Sequence, residues 1–209
     1  MIRTIIALRS ADAVFPPKIW NTSPASQPHQ AVFNRIAHLR AGKVDADCIV
    51  DALWSDESAA CTGIADIAPD IKVDFAVEVK TCTFTVGGNP TNGPIPADAH
   101  KVMFAYHLPE GTEPDRFWHY HTEIHGPDVV KAGGDLIVGY ALSRKMKTLA
   151  GSAAFFALIE LWWVSEIAAA AYAERSSTYI TQSGKAPLDD WASRGPITDF
   201  SLKLVEAVP

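Results

Sequence analysis

The sequence predicts an α+β fold: two β-α-β-β-α-β units packed sheet to sheet. Three observations predict it. Strand-like and helix-like runs follow one another in the same order twice along the 209 residues. One breaker run, residues 87–96 (GGNPTNGPIP), separates the two series, and its Gly, Pro and Asn chemistry forbids regular structure there. Short stretches of the two halves also correspond. Asp51-Ala-Leu-Trp-Ser55 resembles Glu160-Leu-Trp-Trp-Val164, and Asp74-Phe-Ala-Val-Glu-Val79 resembles Asp199-Phe-Ser-Leu-Lys-Leu204. Each series is the ferredoxin-like unit. A four-stranded sheet with helices on one face leaves the other face bare. Two units bury those bare faces against each other and enclose a mostly apolar space.

The elements of the first half follow in order. Residues 2–8 form an apolar strand run at once. Residues 14–28 hold Pro16, Pro17, Pro24 and Pro28, which limit any helix there to one or two turns. Residues 31–39 fit a strand once the correspondence of the halves is considered, although their period also suits a helix. Residues 47–54 are a further β-like run, and Ser55 is placed to cap a helix reaching about residue 67. Residues 75–86 alternate as a strand does.

In the second half, residues 102–107 read as a strand and 113–125 as a helix that resumes to about 132. Residues 135–146 read as a strand, 147–153 as a turn and 154–163 as a strong strand. Ser165 caps an Ala-rich helix to about 176, and 198–205 is the last strand. The expected organisation is a first unit over 1–86 with an eroded first helix, a Gly/Pro linker over 87–99, and a second unit over 100–209. The extra stretch 179–194 is either a solvated loop or a lid over the barrel mouth.

Composition excludes several classes. The chain carries 18 Lys and Arg against 24 Asp and Glu, a net charge of −6 with no basic stripe. Nucleic acid is therefore not an expected partner, because phosphate binding needs clustered cations. No apolar run reaches the length of a membrane span, and the N-terminus lacks the pattern of a signal peptide. Cys48, Cys61 and Cys82 are odd in number and far apart, which suits reduced thiols in a cytoplasmic protein.

The chemistry concentrates in residues 115–127 (DRFWHYHTEIHGP). Thr112 and Asp115 form a plausible helix start with Pro114 in the first turn, and Gly126-Pro127 ends or kinks the helix. His121 and His125, four residues apart, share one helix face, while His119 points to solvent. That spacing also suits a metal-binding helix. The intervening Glu123 is misplaced for a His-Glu-x-x-His site and no third ligand is evident, so no metal is expected.

The run from Phe117 to Pro127 resembles the signature of EthD-type proteins of the dimeric α+β barrel superfamily. Phe117, His125, Gly126 and Pro127 match it, while the family's Trp falls at His121. Tyr140-Ala-Leu-Ser-Arg144 loosely matches a strand motif of the same family. The resemblance covers the second half and, more faintly, the first. It implies a barrel with an apolar interior. It is poorly specific for reaction, since the superfamily includes cofactor-free oxygenases, cyclases, lactone isomerases, dehydratases and haem-degrading enzymes.

The candidate catalytic residues are His125, His121 and Glu160. A neutral imidazole is the most versatile acid or base near neutral pH. Glu160 shares a strand face with Phe156, Leu158 and Trp162. If that face is interior, burial raises its pKa, or else Arg144 or Arg35 neutralises it. Candidate substrate-binding residues are Tyr106, His107, Phe117, Tyr140, Arg144, Trp162 and Asp51, with Trp54, Trp163, Phe155 and Phe156 as further lining. The expectation is a cofactor-independent lyase, isomerase or cyclase acting on a small aromatic or polyketide-like compound. Two alternatives stand beside it: a cofactor-free or haem-assisted monooxygenase, and a non-catalytic binding protein. The chain is expected to work as a monomer with an internal barrel or as a homodimer.

Overall fold

The structure, a computed structural model, describes residues 1–10, 19–20, 27–86, 89–90, 99–108, 110–178 and 197–206. The first half contributes β1 (Ile2–Ser10), β2 (Gln30–Gly42), β3 (Cys48–Trp54), α1 (Glu57–Ala65) and β4 (Ile71–Val86). A two-residue strand, β5 (Asn89–Pro90), folds back on the end of β4. The second half contributes β6 (His100–His107), α2 (Pro114–Tyr120), a π-helical turn (His121–His125), α3 (Gly126–Gly133), a 3-10 turn (Gly134–Leu136), β7 (Ile137–Gly151), β8 (Ala157–Trp163), α4 (Glu166–Thr178) and β9 (Ile197–Glu206).

Eight of these strands close a barrel. The order is β1-β3-β2-β9-β6-β8-β7-β4, and β4 returns to β1. Every pairing is antiparallel. The first half runs β4-β1-β3-β2 and the second β9-β6-β8-β7, so the strands connect in the same order in both. The two sets meet edge to edge, β2 on β9 and β4 on β7. The expected packing of two bare faces thus takes the form of one closed sheet.

The barrel explains why its strands read as continuous apolar runs. Ile5 and Ala7 pack inside with Ile49, Phe75, Val77, Met103, Leu158 and Leu202. Ile6 and Leu8 point outward and are equally buried, under α1 with Val50, Ala52 and Trp54. A strand covered on both faces loses the hydrophobic alternation of a half-solvated one. On the second half the outer face carries Val102, Tyr106, Tyr140, Leu142, Ile159, Leu161 and Trp163, packed with Phe117, Val129, Ala168 and Tyr172 of the helices.

Both seams between the halves end on a glycine. Gly42 pairs with Phe200 at φ 77°, and Gly151 pairs with Phe75 at φ 66°. A Cβ would lie 1.8 Å from the Asp199 carbonyl oxygen at Gly42 and 2.0 Å from that of Asp74 at Gly151. Inside the barrel Phe75 and Phe200 stack, ring centroids 5.9 Å apart, with Phe155 edge-on to both.

Several boundaries differ from expectation. Asp56, not Ser55, caps α1, its Oδ1 accepting from the Ala59 N–H at 2.9 Å. Glu113, not Thr112, caps α2, accepting from the Asp115 and Arg116 N–H groups. Residues 147–151 extend β7 instead of turning, and β8 starts at Ala157. At Gly126-Pro127, expected to end or kink the helix, the helical run is interrupted by the π-helical turn and resumes as α3 to Gly133, close to the expected 132. Most of the eroded first helix, most of the 87–99 linker and the whole 179–194 stretch lie outside the described residues.

Candidate functional site

The His-bearing helix is bent by its own sequence. Pro127 has no N–H to give the Glu123 carbonyl, and the Gly126 N–H donates instead to His121 O, five residues back. Thr122 Oγ1 donates to the Trp118 and His119 carbonyls at 3.1 and 3.3 Å, competing with backbone N–H groups for these acceptors. The result is one π-helical turn, a feature frequent at functional sites. His121 and His125 bound it. Gly126 lets it approach the barrel, because a Cβ there would sit 2.3 Å from the Phe84 ring. Phe84 in turn stacks on Tyr140 at 5.0 Å.

Both imidazoles are buried, His121 at 1% exposure and His125 at 4%, while His119 is exposed as expected. Their rings meet edge to face with centroids 5.1 Å apart. His121 Nδ1 donates to the Phe117 carbonyl at 3.0 Å, which fixes the proton on that nitrogen in the neutral ring. Phe117 lies 4.1 Å from His121 and Tyr106 lies 6.0 Å away. Tyr120 stacks on His125 at 6.4 Å. Burial drives the His125 pKa down to about 4, so the ring is neutral at neutral pH. Burial raises the Tyr106 and Tyr140 phenols, which therefore remain protonated donors.

The corresponding layer of the first half is different. Between α1 and the sheet lie Ile6, Leu8, Val50, Ala52, Ala60, Ile64 and Ala76. Its buried polar pair is structural: Trp54 Nε1 donates to Thr4 Oγ1 at 2.8 Å. Among the described residues, buried imidazoles occur only in the second layer.

Glu160 is on the other side of the sheet. It faces the barrel interior and is fully buried. Burial alone would raise its carboxyl, but Lys101 and Arg3 outweigh burial and hold it well below the carboxylate range. The expected rise does not occur, and the expected partners Arg144 and Arg35 are not the ones used. Arg3 Nη2 donates to Glu160 Oε2 at 2.8 Å, and Lys101 Nζ lies 3.0 Å from Oε1. Arg3 also binds Asp51 through Nε and Nη2, and Thr81 and Ser143 through Nη1. All five of its N–H donors are engaged. Lys101 adds Asn34 Oδ1 at 3.3 Å and sits over the Trp162 ring at 4.7 Å.

The residues singled out from sequence therefore fall into separate places. Phe117, His121, His125, Tyr106 and Tyr140 come together beneath the helices of the second half, with Arg144 at the rim. Asp51, Glu160 and Trp162 come together inside the barrel. His107 stands apart from both groups, its Nε2 3.1 Å from Asp199 Oδ1. Trp54 and Trp163 do not line the interior; both pack on the outer face. Phe156, expected on the interior face with Glu160, instead packs on the outer side against Tyr106 and Phe117, and Arg3, Lys101 and Tyr120 complete these groups. Arg3 and Lys101 carried a legible signal, each a lone cation two residues before the partner of an interior carboxylate (Ile5 with Asp51, Met103 with Glu160).

Among the described residues no group of three His, Cys, Asp or Glu side chains is placed to hold a metal ion. No helix among the described residues is long and apolar enough to cross a membrane.

No family model matches the chain, and no curated protein does either. A solved structure of an anthrone oxidase-like protein is similar, with a TM-score of 0.53 and 10% identity, over 98% of this chain and 91% of that one. The likeness is one of fold, a barrel of the dimeric α+β type.

Proposed function

We propose that the chain is a tandem pair of ferredoxin-like units of EthD type, and that it moves a proton, without a cofactor, on a small aromatic or polyketide-like molecule. The reaction class is that of a lyase, isomerase or cyclase. One observation carries this reading. Of two helix–sheet layers with the same strand order, one holds no imidazole or phenol among the described residues and the other gathers two imidazoles and three phenols. Polar groups buried among apolar ones cost stability, and sites that keep them are candidates for chemistry.

The proton path follows from the electrostatics. A neutral His125 has a lone pair to accept a proton from an enolisable carbon or a phenol. The imidazolium so formed would be unfavourable alone in this layer. It forms together with the substrate anion, and the ion pair offsets the desolvation. Tyr106 and Tyr140, kept protonated by burial, supply hydrogen bonds to the developing oxyanion. His121, its proton held by the Phe117 carbonyl, offers the second imidazole. Glu160 and Asp51, locked in ion pairs across the sheet, hold the barrel closed and take no part in this step.

The test is turnover of a panel of phenols, 1,3-diketones and anthrones by wild type, His125→Ala and His121→Ala. The fold likeness to an anthrone oxidase-like protein makes an anthrone the first compound to try. Loss of about 10²–10⁴-fold in His125→Ala supports the reading; full activity in both variants overturns it. Turnover that ceases without oxygen would reassign the chain as a monooxygenase. Tight binding without turnover, indifferent to both histidines, would make it a carrier.

A further inference from the structure

Two guanidinium groups of this barrel are used very differently. Arg3 spends all five N–H donors on interior acceptors. Arg144, on the outer face of β7, makes one hydrogen bond among the described residues, from Nη1 to Asp115 Oδ1 at 2.6 Å. Its side chain is 25% exposed and that of Asp115 is 79% exposed. An ion pair so open to water is worth little, so another anion can take the place of Asp115.

The surroundings of Arg144 lead inward. Its guanidinium lies 5.3 Å from the centroid of the half-buried Phe156 ring. Phe156 meets Phe117 and Tyr106, each with centroids 6.2 Å away. Those two rings are the neighbours of His121, at 4.1 and 6.0 Å. A continuous file of aromatic rings therefore joins an under-used arginine at the rim to the buried imidazoles.

We propose that Arg144 is the anion-recognition point of this layer and that the ligand is an aromatic carboxylate. The inference rests on the reading of the second helix–sheet layer as the site. The planar fork of Arg144 binds the carboxylate in bidentate fashion, displacing Asp115. The ligand's ring lies along the Phe156–Phe117 file, directed at His121. Arg3 and Lys101 cannot serve this role, because their donors are already bound inside the barrel.

Titration calorimetry on the full chain with 2-naphthoate and its uncharged analogue 2-naphthamide tests this. Wild type should bind naphthoate about tenfold or more tighter than naphthamide. Arg144→Gln should erase that preference and leave naphthamide binding unchanged, with Arg144→Lys between the two. Asp115→Asn should tighten naphthoate severalfold, by removing its competitor. Thermal melts check that each variant is folded. Absence of saturable naphthoate binding at millimolar concentration, or a preference that survives Arg144→Gln, overturns the proposal. The two readings fail separately. A naphthoate preference intact in a chain that turns over nothing leaves Arg144 standing and removes the acid/base function. Turnover that needs His125 but is blind to substrate charge does the reverse.

Discussion

Arg3 on β1 donates to Glu160 on β8 at 2.8 Å across the inside of the barrel, joining the first half of the chain to the second. The two residues are 157 positions apart. Glu160 is fully buried and Arg3 has no donor to spare, so the pair acts as an internal fastening. Its strength depends on both ends being present.

Removing one end should therefore be costly. Glu160→Gln leaves Arg3 and Lys101 without their shared charge in a dry environment, and we expect a loss of about 3–5 kcal/mol. Asp51→Asn should cost less, because the Asp51 side chain is 24% exposed and water replaces part of the interaction. Urea denaturation of the two variants measures the difference. The acid dependence has a definite sign. The Glu160 carboxyl is depressed in the folded state, so its contribution is complete above the unfolded value of about 4.3 and is lost as pH falls below it. The gap between wild type and Glu160→Gln should narrow under those acid conditions.

His125 gives a second pH signature at a different range. Its folded pKa is about 4 against about 6.5 unfolded. The unfolded chain binds the extra proton first, so stability is full above pH 6.5 and declines as pH falls toward 4. We expect wild type to lose about 2 kcal/mol between pH 7 and pH 5 from this group. His125→Gln should remove that slope. A wild-type slope matched by the variant would mean that the ring is solvated enough to protonate in place.

Much of the architecture was legible because strands and helices carry their own periods. The alternation over residues 75–86 and the Ala-rich run after Ser165 located β4 and α4. Asp51 and Glu160 each sit mid-strand, Asp51 opposite Ile5 and Glu160 opposite Met103. What sequence did not show was facing. When both sides of a strand are buried, Trp162 and Trp163 look alike, yet one covers Lys101 inside and the other packs under α4. Glu160 and the histidines were accordingly placed in one site when the sheet lies between them. The cation partners were missed because a lone Lys or Arg in a strand ordinarily points to water. The π-helical turn was hidden for another reason. It depends on where the Thr122 hydroxyl and the Gly126 N–H find acceptors, and periodicity does not register that.

The approach of the π-helical turn to the barrel predicts a size limit at Gly126. A methyl group there would lie 2.3 Å from Phe84 and 2.9 Å from the His121 carbonyl. The helix must shift or the ring must move, and overpacking of this kind costs about 1–3 kcal/mol. Phe84→Ala opens the space at its own cost, that of a large-to-small change. The double variant should therefore be more stable than the sum of the two single losses predicts, by about 1 kcal/mol. Strict additivity in the double-mutant cycle would show that Gly126 and Phe84 do not press on one another.

The seam glycines offer the most direct test of how the barrel closes. Gly42 and Gly151 combine a left-handed backbone with a backbone oxygen at 1.8 and 2.0 Å from the site of a Cβ. Alanine at either position meets two penalties, the left-handed conformation at about 1–2 kcal/mol and a clash that only strand separation relieves. Gly111 isolates the first penalty, since its φ is 74° but nothing lies within 4 Å of a Cβ there. Gly111→Ala should therefore lose about 1–2 kcal/mol and keep its cooperativity. Gly42→Ala and Gly151→Ala should each lose clearly more than that. Both should also speed amide exchange along their own seam, β2–β9 for Gly42 and β4–β7 for Gly151. If either variant matched Gly111→Ala in stability and exchange, the carbonyl of Asp199 or Asp74 would not be the surface that fixes the strand spacing.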